Sequence, residues 1–405
     1  MNLLIANMAS LPTPPFAVGH RKQSWPWWPL LPLYPYGHRA TLVRELIPGQ
    51  VWSFEQLHGI WYVAVPIRMT VVKVAQGLML YAPVPPTQEV LEALHNLEER
   101  YGPVCTIVLP TASGLEHKVP VPAMARAFPQ ATLWLSERQW SFPLRLPSSW
   151  LGFPASRSKV LGRDGYPHGE QLDWIPLGPL DLGLGTFLEV ACLDRASGSL
   201  LVTDALVAIR PTPPAIFSLD PTSLLFHARE RGSDPLIDTE ANRLKGWKRI
   251  LLFANFFRPS CVQIPEWQMV SRDLLAKGNR HARAHFGLYP FRWSADWEQE
   301  ANQLISSCEG DVKFMLAPVL ERLVLVRAKQ KFLDWLLAIA ERKGIKQLVG
   351  AHYHAPEPLS SEGLKLYAKV IEQKEWAPSE GEWSTLASID QTLVKWKLVP
   401  TSTAS

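Results

Sequence analysis

Between residues 59 and 136 the chain alternates apolar runs of strand length with segments of helical period. That alternation restricts it to a layered α/β fold. GIWYVAVPI (59–67) and MTVVKVAQGLMLYAPV (69–84) read as strands, with Gln76 and Gly77 turning the chain inside the second. PPTQEVLEALHNLEERYG (85–102) reads as a helix. Thr87 offers an N-cap oxygen, Val90, Leu91, Leu94 and Leu97 form an apolar stripe, and Gly102 closes it. VCTIVLP (104–110) is the next strand, VPAMARAF (121–128) a short helix and ATLWLS (131–136) another strand.

Residues 145–185 are rich in Gly, Pro and Ser and read as irregular connection. GTFLEVACLD (185–194) and SGSLLVTDALVAI (197–209) read as a hairpin turning at Arg195–Gly198. Residues 210–240 read as loop, with Asp234, Asp238 and Glu240 either binding a cation or serving turns and the cap of the helix that starts near Asn242. From 242 to 343 the pattern is mainly helical. KQLVGAHYHAPEP (346–358) is one more strand, carrying His352 and His354 at its end, and SEGLKLYAKVIEQ (361–373) is a last helix. The expected organisation is an N-terminal arm (1–45), one α/β domain (46–375) with a mainly helical insertion (240–343), and a polar C-terminal tail (376–405).

Composition narrows the function classes. Of 405 residues, 47% are hydrophobic, enough for a substantial core. The net charge of +4 comes from the first 44 residues, which hold Arg21, Lys22, Arg39 and Arg44 and no acid. No dense Lys/Arg stripe appears, so nucleic-acid binding is not expected. No apolar run reaches the roughly 20 residues of a membrane span. Cys105, Cys192, Cys261 and Cys308 lie far apart without a CxxC pair, which speaks against a thiolate zinc cage and for a reducing, cytoplasmic setting. The acid-free start leaves a plastid as the alternative location. In SWPWWPLLPLYPYGHR (24–39) the prolines forbid a helix, and the Trp and Tyr rings supply a large apolar surface. The strip reads either as a docking surface for a Pro-rich protein partner or a membrane surface, or as an arm that lies on the domain and covers it.

The loop TASGLEHKVP (111–120) places Glu116, His117 and Lys118 at the mouth of a strand, where α/β folds keep their chemistry. Two readings stand: a metal or catalytic element, or a polar pair capping the next helix. Asp204 ends the buried run LLVT, and a carboxylate there needs a partner: a metal, His117, or backbone N–H groups. Glu189, between Leu188 and Val190, either joins such a site or faces solvent. His352 and His354 share a side-chain direction if the strand continues.

The order of hairpins, a strand–loop with His, a hairpin ending in Asp and a late strand ending in His resembles the metallo-β-lactamase fold. SWPWWPLLPLYPYG, VPIRMTVVK, SGLEHKVPV, FPQATLWLSERQWSFPL, LLVTDALV and LLFHARE are similar to the DUF4336 family, metallo-β-lactamase-like proteins of cyanobacteria and plastid-bearing eukaryotes. The resemblance covers roughly residues 24 to 356. It implies an αββα sandwich with a helical insertion. The fold's His-x-His-x-Asp-His motif reads here as Ala112-Ser-Gly114-Leu-Glu116-His117, so both first-site histidines are missing. The remaining positions match Glu189, Asp204 and His352, with His354 as the alternative to His352. The resemblance thus implies one divalent ion (Zn, Mn or Fe) held by Glu116, His117, Asp204 and His352, with Glu189 as a further ligand and Glu116 or Asp204 as base. The corresponding activity is hydrolysis of a small molecule. The alternative is a non-catalytic binding or assembly protein, in which a Glu–His–Asp hydrogen-bond network fills the site without metal. His227 and Arg229 are supporting residues in either reading.

Overall fold

The computed structural model describes residues 33–34, 39–140, 146–181, 185–257, 259–275, 282–310, 312–374 and 384–399. Most of the Pro/Trp-rich strip lies outside the described residues. The first sheet is built from β1 (Leu33–Tyr34), β2 (Leu42–Ile47), β3 (Val51–Ile60), β4 (Val63–Val74), β5 (Gly77–Tyr81), β6 (Val104–Leu109), β7 (Thr132–Leu135) and β8 (Ser158–Val160). Its connections carry α1 (Gln88–Tyr101), α2 (Leu115–Lys118) and α3 (Val121–Ala127). Strands β9 (Leu172–Asp181), β10 (Thr186–Asp194) and β11 (Ser199–Val202) begin a second sheet. Then come α4 (Thr222–Ala228), α5 (Glu240–Phe256), β12 (Val262–Gln263), α6 (Trp267–Leu275), β13 (Arg292–Trp293), α7 (Trp297–Ser306), α8 (Pro318–Leu323) and α9 (Lys329–Ala340). The chain closes with β14 (Gln347–Gly350), β15 (Glu357–Pro358), α10 (Ser361–Gln373) and α11 (Ser384–Lys395).

Strand periodicity produces the layers. In β5, Leu78 and Leu80 pack with α1 and α3, while Met79 and Tyr81 face the second sheet. In β10, Phe187, Ala191 and Leu193 pack with α9 and α10, while Leu188, Val190 and Cys192 face the first sheet. In β14, Leu348 and Val349 divide the same way. The order is helix, sheet, sheet, helix: the αββα sandwich that the resemblance implies. The first sheet runs β1-β3-β4-β5-β6-β7-β8, with β2 also on β3, and the second runs β15-β14-β11-β10-β9. A separate core joins α4, α5 and α7 to Leu57, Tyr62 and Ala64 of the β3–β4 hairpin. Gly246 allows this approach, because a Cβ there would sit 1.9 Å from the Leu224 carbonyl oxygen. Among the described residues no helix is long and apolar enough to cross a membrane.

The elements of the fold differ from the sequence reading at several places. GIWYVAVPI is the tip of the β3–β4 hairpin rather than one strand, because Trp61 and Tyr62 turn at φ of 52° and 62°. A two-residue hairpin turn needs positive φ at both positions, a costly demand on aromatic residues. Burial offsets it: Tyr62 stacks on Phe226 with ring centroids 3.8 Å apart. Residues 145–185 contain β9, whose Pro176, Gly178 and Pro179 read as breakers but sit on a sheet edge, where proline is tolerated. The segment 210–240 contains α4, buried from Ser223 to Ala228. The polar tail contains α11, which buries Leu386 in the helical core.

One buried ion pair ties the first sheet to the loop after β14. The Arg68 guanidinium donates to Glu55 Oε1 at 3.1 Å, to Tyr353 O at 2.8 Å and to Gly350 O. Arg44 also binds Glu55 and donates to Ala355 O at 2.8 Å. Burial would raise the Glu55 carboxyl, but Arg68 and Arg44 hold it below its ordinary 4.5. Its stabilising contribution is therefore complete above the unfolded value and is lost as pH falls through the lower folded one. Glu55→Gln leaves a buried guanidinium without its counter-ion and is expected to cost about 3–5 kcal/mol at neutral pH. Denaturant unfolding measures that loss, and the wild-type–variant difference should shrink as pH drops below 4.5.

Candidate metal centre

Strand β6 ends at Leu109, and the chain crosses to the second sheet before turning back. Ala112 N donates to Leu188 O and Val190 N to Pro110 O, each at 2.9 Å, and Thr111 bridges Glu189. Thr111 Oγ1 then accepts from the backbone N–H groups of Ser113 and Gly114, starting the turn into α2. Lys118 reaches back, donating to Ala112 O and Gln139 O at 2.6 Å each. The amine of the Glu-His-Lys run therefore fastens the loop. The acid and the imidazole project toward the sheet ends.

There Glu116, His117 and His352 come together, with one ligand atom from each within 4.8 Å of the others. His352 follows β14 on the loop held by Arg68. Its Nε2 lies 3.1 Å from Asp204 Oδ1 and 3.6 Å from Glu116 Oε1. Both imidazoles donate from Nδ1 to a proline carbonyl: His117 to Pro83 O at 3.1 Å, His352 to Pro66 O at 3.0 Å. A carbonyl only accepts, so each Nδ1 carries the proton and each Nε2 is turned into the cluster. Such backbone bonds orient histidines that ligate metals.

The electrostatics separate the two rings. Burial lowers the His117 pKa, with the His352 charge adding to it against Glu116, and keeps the ring neutral. His352 is pushed up to about 10: burial opposes its charge, but the Asp204 and Glu116 carboxylates outweigh it. Glu116 is held at about 2 against its own burial, by His352 and His117. Gly114 is part of the design. A Cβ there would stand 2.8 Å from Glu116 Oε1 and 2.9 Å from Thr111 Cγ2, so Glu116 occupies the space a side chain at 114 would take.

Glu189, expected as a further ligand, is bound to the backbone instead. Its carboxylate accepts from the N–H groups of Thr203, Asp204 and Ala205 at 2.7, 2.9 and 2.9 Å. Burial and the nearby Asp204 raise it to about 7, against those three donors. It fixes the turn that presents Asp204. His354 lies outside the cluster, edge-on to Trp247 with centroids 5.9 Å apart. The turn after His352 separates the two, with Tyr353 at φ 53°, so the two-residue strand period does not apply. His227 is likewise remote, boxed by Phe226, Phe253 and Phe291. His58 on β3, which no sequence motif marks, lines the same cavity as Glu116, Asp204 and His352. Burial and Arg39 lower it to about 4, while Glu116 pulls the other way. Only the β3–β4 pairing brings it there, and no spacing in the sequence signals it.

The residues present fit a divalent cation. Two imidazoles and two carboxylates are a borderline-hard donor set suited to Zn, Mn or Fe. His117 Nε2 is fully buried and has no hydrogen-bond partner. A buried lone pair left bare costs free energy, and a cation satisfies it.

No curated protein matches the chain in sequence. Among solved structures it is similar to a metallo-β-lactamase from Pontibacter korlensis at 12% identity, covering 83% of this chain and 100% of that one, with a TM-score of 0.37. It is similar to the metal-soaked Flv1 flavodiiron core from Synechocystis sp. PCC6803 at 11% identity, covering 84% of this chain and 62% of that one, with a TM-score of 0.40. It is also similar to the mono-zinc form of the metallo-β-lactamase FIM-1 from Pseudomonas aeruginosa at 10% identity, covering 83% and 95%, with a TM-score of 0.36. The family described as a domain of unknown function, DUF4336, matches residues 48–367, and the chain belongs to that family.

Proposed function

We propose that this protein is a hydrolase that works with a single divalent metal ion, held by Glu116, His117 and His352 with Asp204 beside them. The observation that carries this reading is the buried, unpartnered Nε2 of His117, aimed at the same place as His352 Nε2 and Glu116. When bound, the ion supplies a Lewis acid that brings the pKa of water down to about 7. The chain's own groups do the rest. The prolyl carbonyls of residues 83 and 66 orient both imidazoles with Nε2 toward the cluster, and His352 would give up its Nε2 proton on taking the ion. Glu189 fixes the backbone of Asp204, whose Oδ1 is positioned to accept and pass on a proton. Apolar walls from β3, β4, α5 and α8 border that face. Ala112 and Gly114, standing where the fold's first-site histidines would be, support one ion rather than two.

The competing reading is a non-catalytic descendant in which Glu116, His352 and Asp204 form a closed hydrogen-bonded set. The His352–Asp204 distance of 3.1 Å favours it, and the bare His117 lone pair disfavours it. Metal content decides between them. Elemental mass spectrometry of protein purified without chelator should find about one divalent ion per chain, and His117→Gln about a tenth of that or less. His354→Gln, altered outside the cluster, should keep the full amount. No metal in the wild type after incubation with Zn, Mn and Fe(II) contradicts the hydrolase reading.

Glu189→Gln separates support from ligation. At pH 9, above the Glu189 value of about 7 where its carboxylate is ionised, it should lower unfolding free energy by about 1.5–3 kcal/mol, since a charge-assisted cap on three N–H groups is lost. Metal stoichiometry at saturating ion should stay near wild type. A Glu189→Gln protein of unchanged stability that has lost its metal would make Glu189 a ligand instead.

A further inference from the structure

A cavity of about 600 Å³ opens over the cluster, with Glu116, Asp204 and His352 in its lining. That is the size range of pockets for small organic ligands. Three elements build its walls. The β3–β4 hairpin gives Ile60, Val63 and Val65, the end of α5 gives Phe253 and Phe257, and α8 gives Val319 and Leu320. Two of the three walls therefore come from the helical segment between β11 and β14. Among the described lining residues there is no lysine and no arginine. The polar side chains among the described lining residues are Glu116, Asp204, His58, His352 and Tyr353, whose hydroxyl accepts from Asn255.

This chemistry selects by charge. A phosphate or carboxylate on the ligand would meet apolar walls and two carboxylates, against which the lining sets a single imidazolium, His352, already paired with both. A divalent ion held by Glu116, His117 and His352, with His352 neutral as a ligand and Asp204 beside it, would be balanced by the two carboxylates and leave no surplus positive charge. We propose that the cavity takes an uncharged, mainly apolar ligand, a neutral carboxylic ester with an aliphatic acyl body, whose ester group lies at the Glu116–Asp204–His352 end. Reading this ligand as a substrate rests on the hydrolase reading above, whereas its binding does not. In the reaction, a bond forms from the water oxygen to the acyl carbon and the acyl C–O bond breaks. One water proton ends on the leaving alcohol, and the other is released as the acid product ionises. The carboxylate product then carries the charge the cavity disfavours, which drives its departure.

The test uses the full-length protein and the uncharged dye Nile red. Dye fluorescence should rise on binding, and methyl octanoate should displace it. Octanoate and octyl phosphate should do so at least about tenfold more weakly. Ala254→Trp on α5 and Val319→Trp on α8 fill the cavity from different walls, and each should weaken dye and ester binding about tenfold or more while metal content stays unchanged. Two substitutions on separate helices keep a folding defect in one from deciding the matter. No dye or ester binding to folded wild-type protein overturns the proposal, as does displacement by the anions at equal or lower concentration. Hydrolysis of p-nitrophenyl octanoate by metal-loaded protein, lost in Ala254→Trp, supports the substrate reading. Binding of the neutral ester to a protein that never takes up metal upholds the ligand class and overturns only the hydrolase reading.

Discussion

The position of His352 depends on a guanidinium that never reaches water. Arg68 is 1% exposed and spends its donors on Glu55 and on the carbonyls of Gly350 and Tyr353, which bracket His352. The planar fork of arginine binds a carboxylate and two backbone oxygens at once, which a lysine ammonium cannot match in geometry. A buried ion pair adds little net stability against an apolar replacement, because desolvation offsets much of the attraction. Its value here is geometric. It holds a loop of the second sheet to a central strand of the first, and β6 delivers Glu116 and His117 to the same edge from the other side.

The second level of support fixes protons rather than chain. Two proline carbonyls fix the Nδ1 proton and the orientation of both imidazoles, and Glu189 clamps the turn carrying Asp204. What remains is asymmetric. His352 is flanked by two carboxylates and held charged, whereas His117 is neutral with a bare Nε2. Ring nitrogens of His227 and His354 are bare as well, but the one on His117 faces a second imidazole and a carboxylate. The apolar cavity above the cluster extends the same logic, because low-dielectric walls strengthen each charge interaction beneath them.

Much of this is legible in the sequence, unevenly. Strands β4, β5, β6 and β10 and helix α1 announce themselves by period, since each buries a face that has to be apolar. Strand β9 does not, because an edge strand tolerates the prolines that mark a break elsewhere. The Trp61–Tyr62 turn is hidden for a related reason: nothing in the residue types signals a positive φ that long-range packing of Trp61 on His285 and Tyr62 on Phe226 sustains. At the site, Glu116, His117, Asp204 and His352 are reached through the family resemblance, and the structure brings them together. Glu189 misleads because a buried carboxylate that caps backbone N–H groups looks, in sequence, like one that binds metal. His58 gives no signal, because its place follows from strand pairing alone.

The most direct measurement is X-ray absorption at the metal edge of zinc-loaded protein. A site built from Glu116, His117, His352 and Asp204 predicts a shell of nitrogen and oxygen only, at about 2.0–2.1 Å, with the outer-ring scattering of two imidazoles, falling to one in His117→Gln. An absorbing ion surrounded by water oxygens alone, or a spectrum unchanged by His117→Gln, would contradict it.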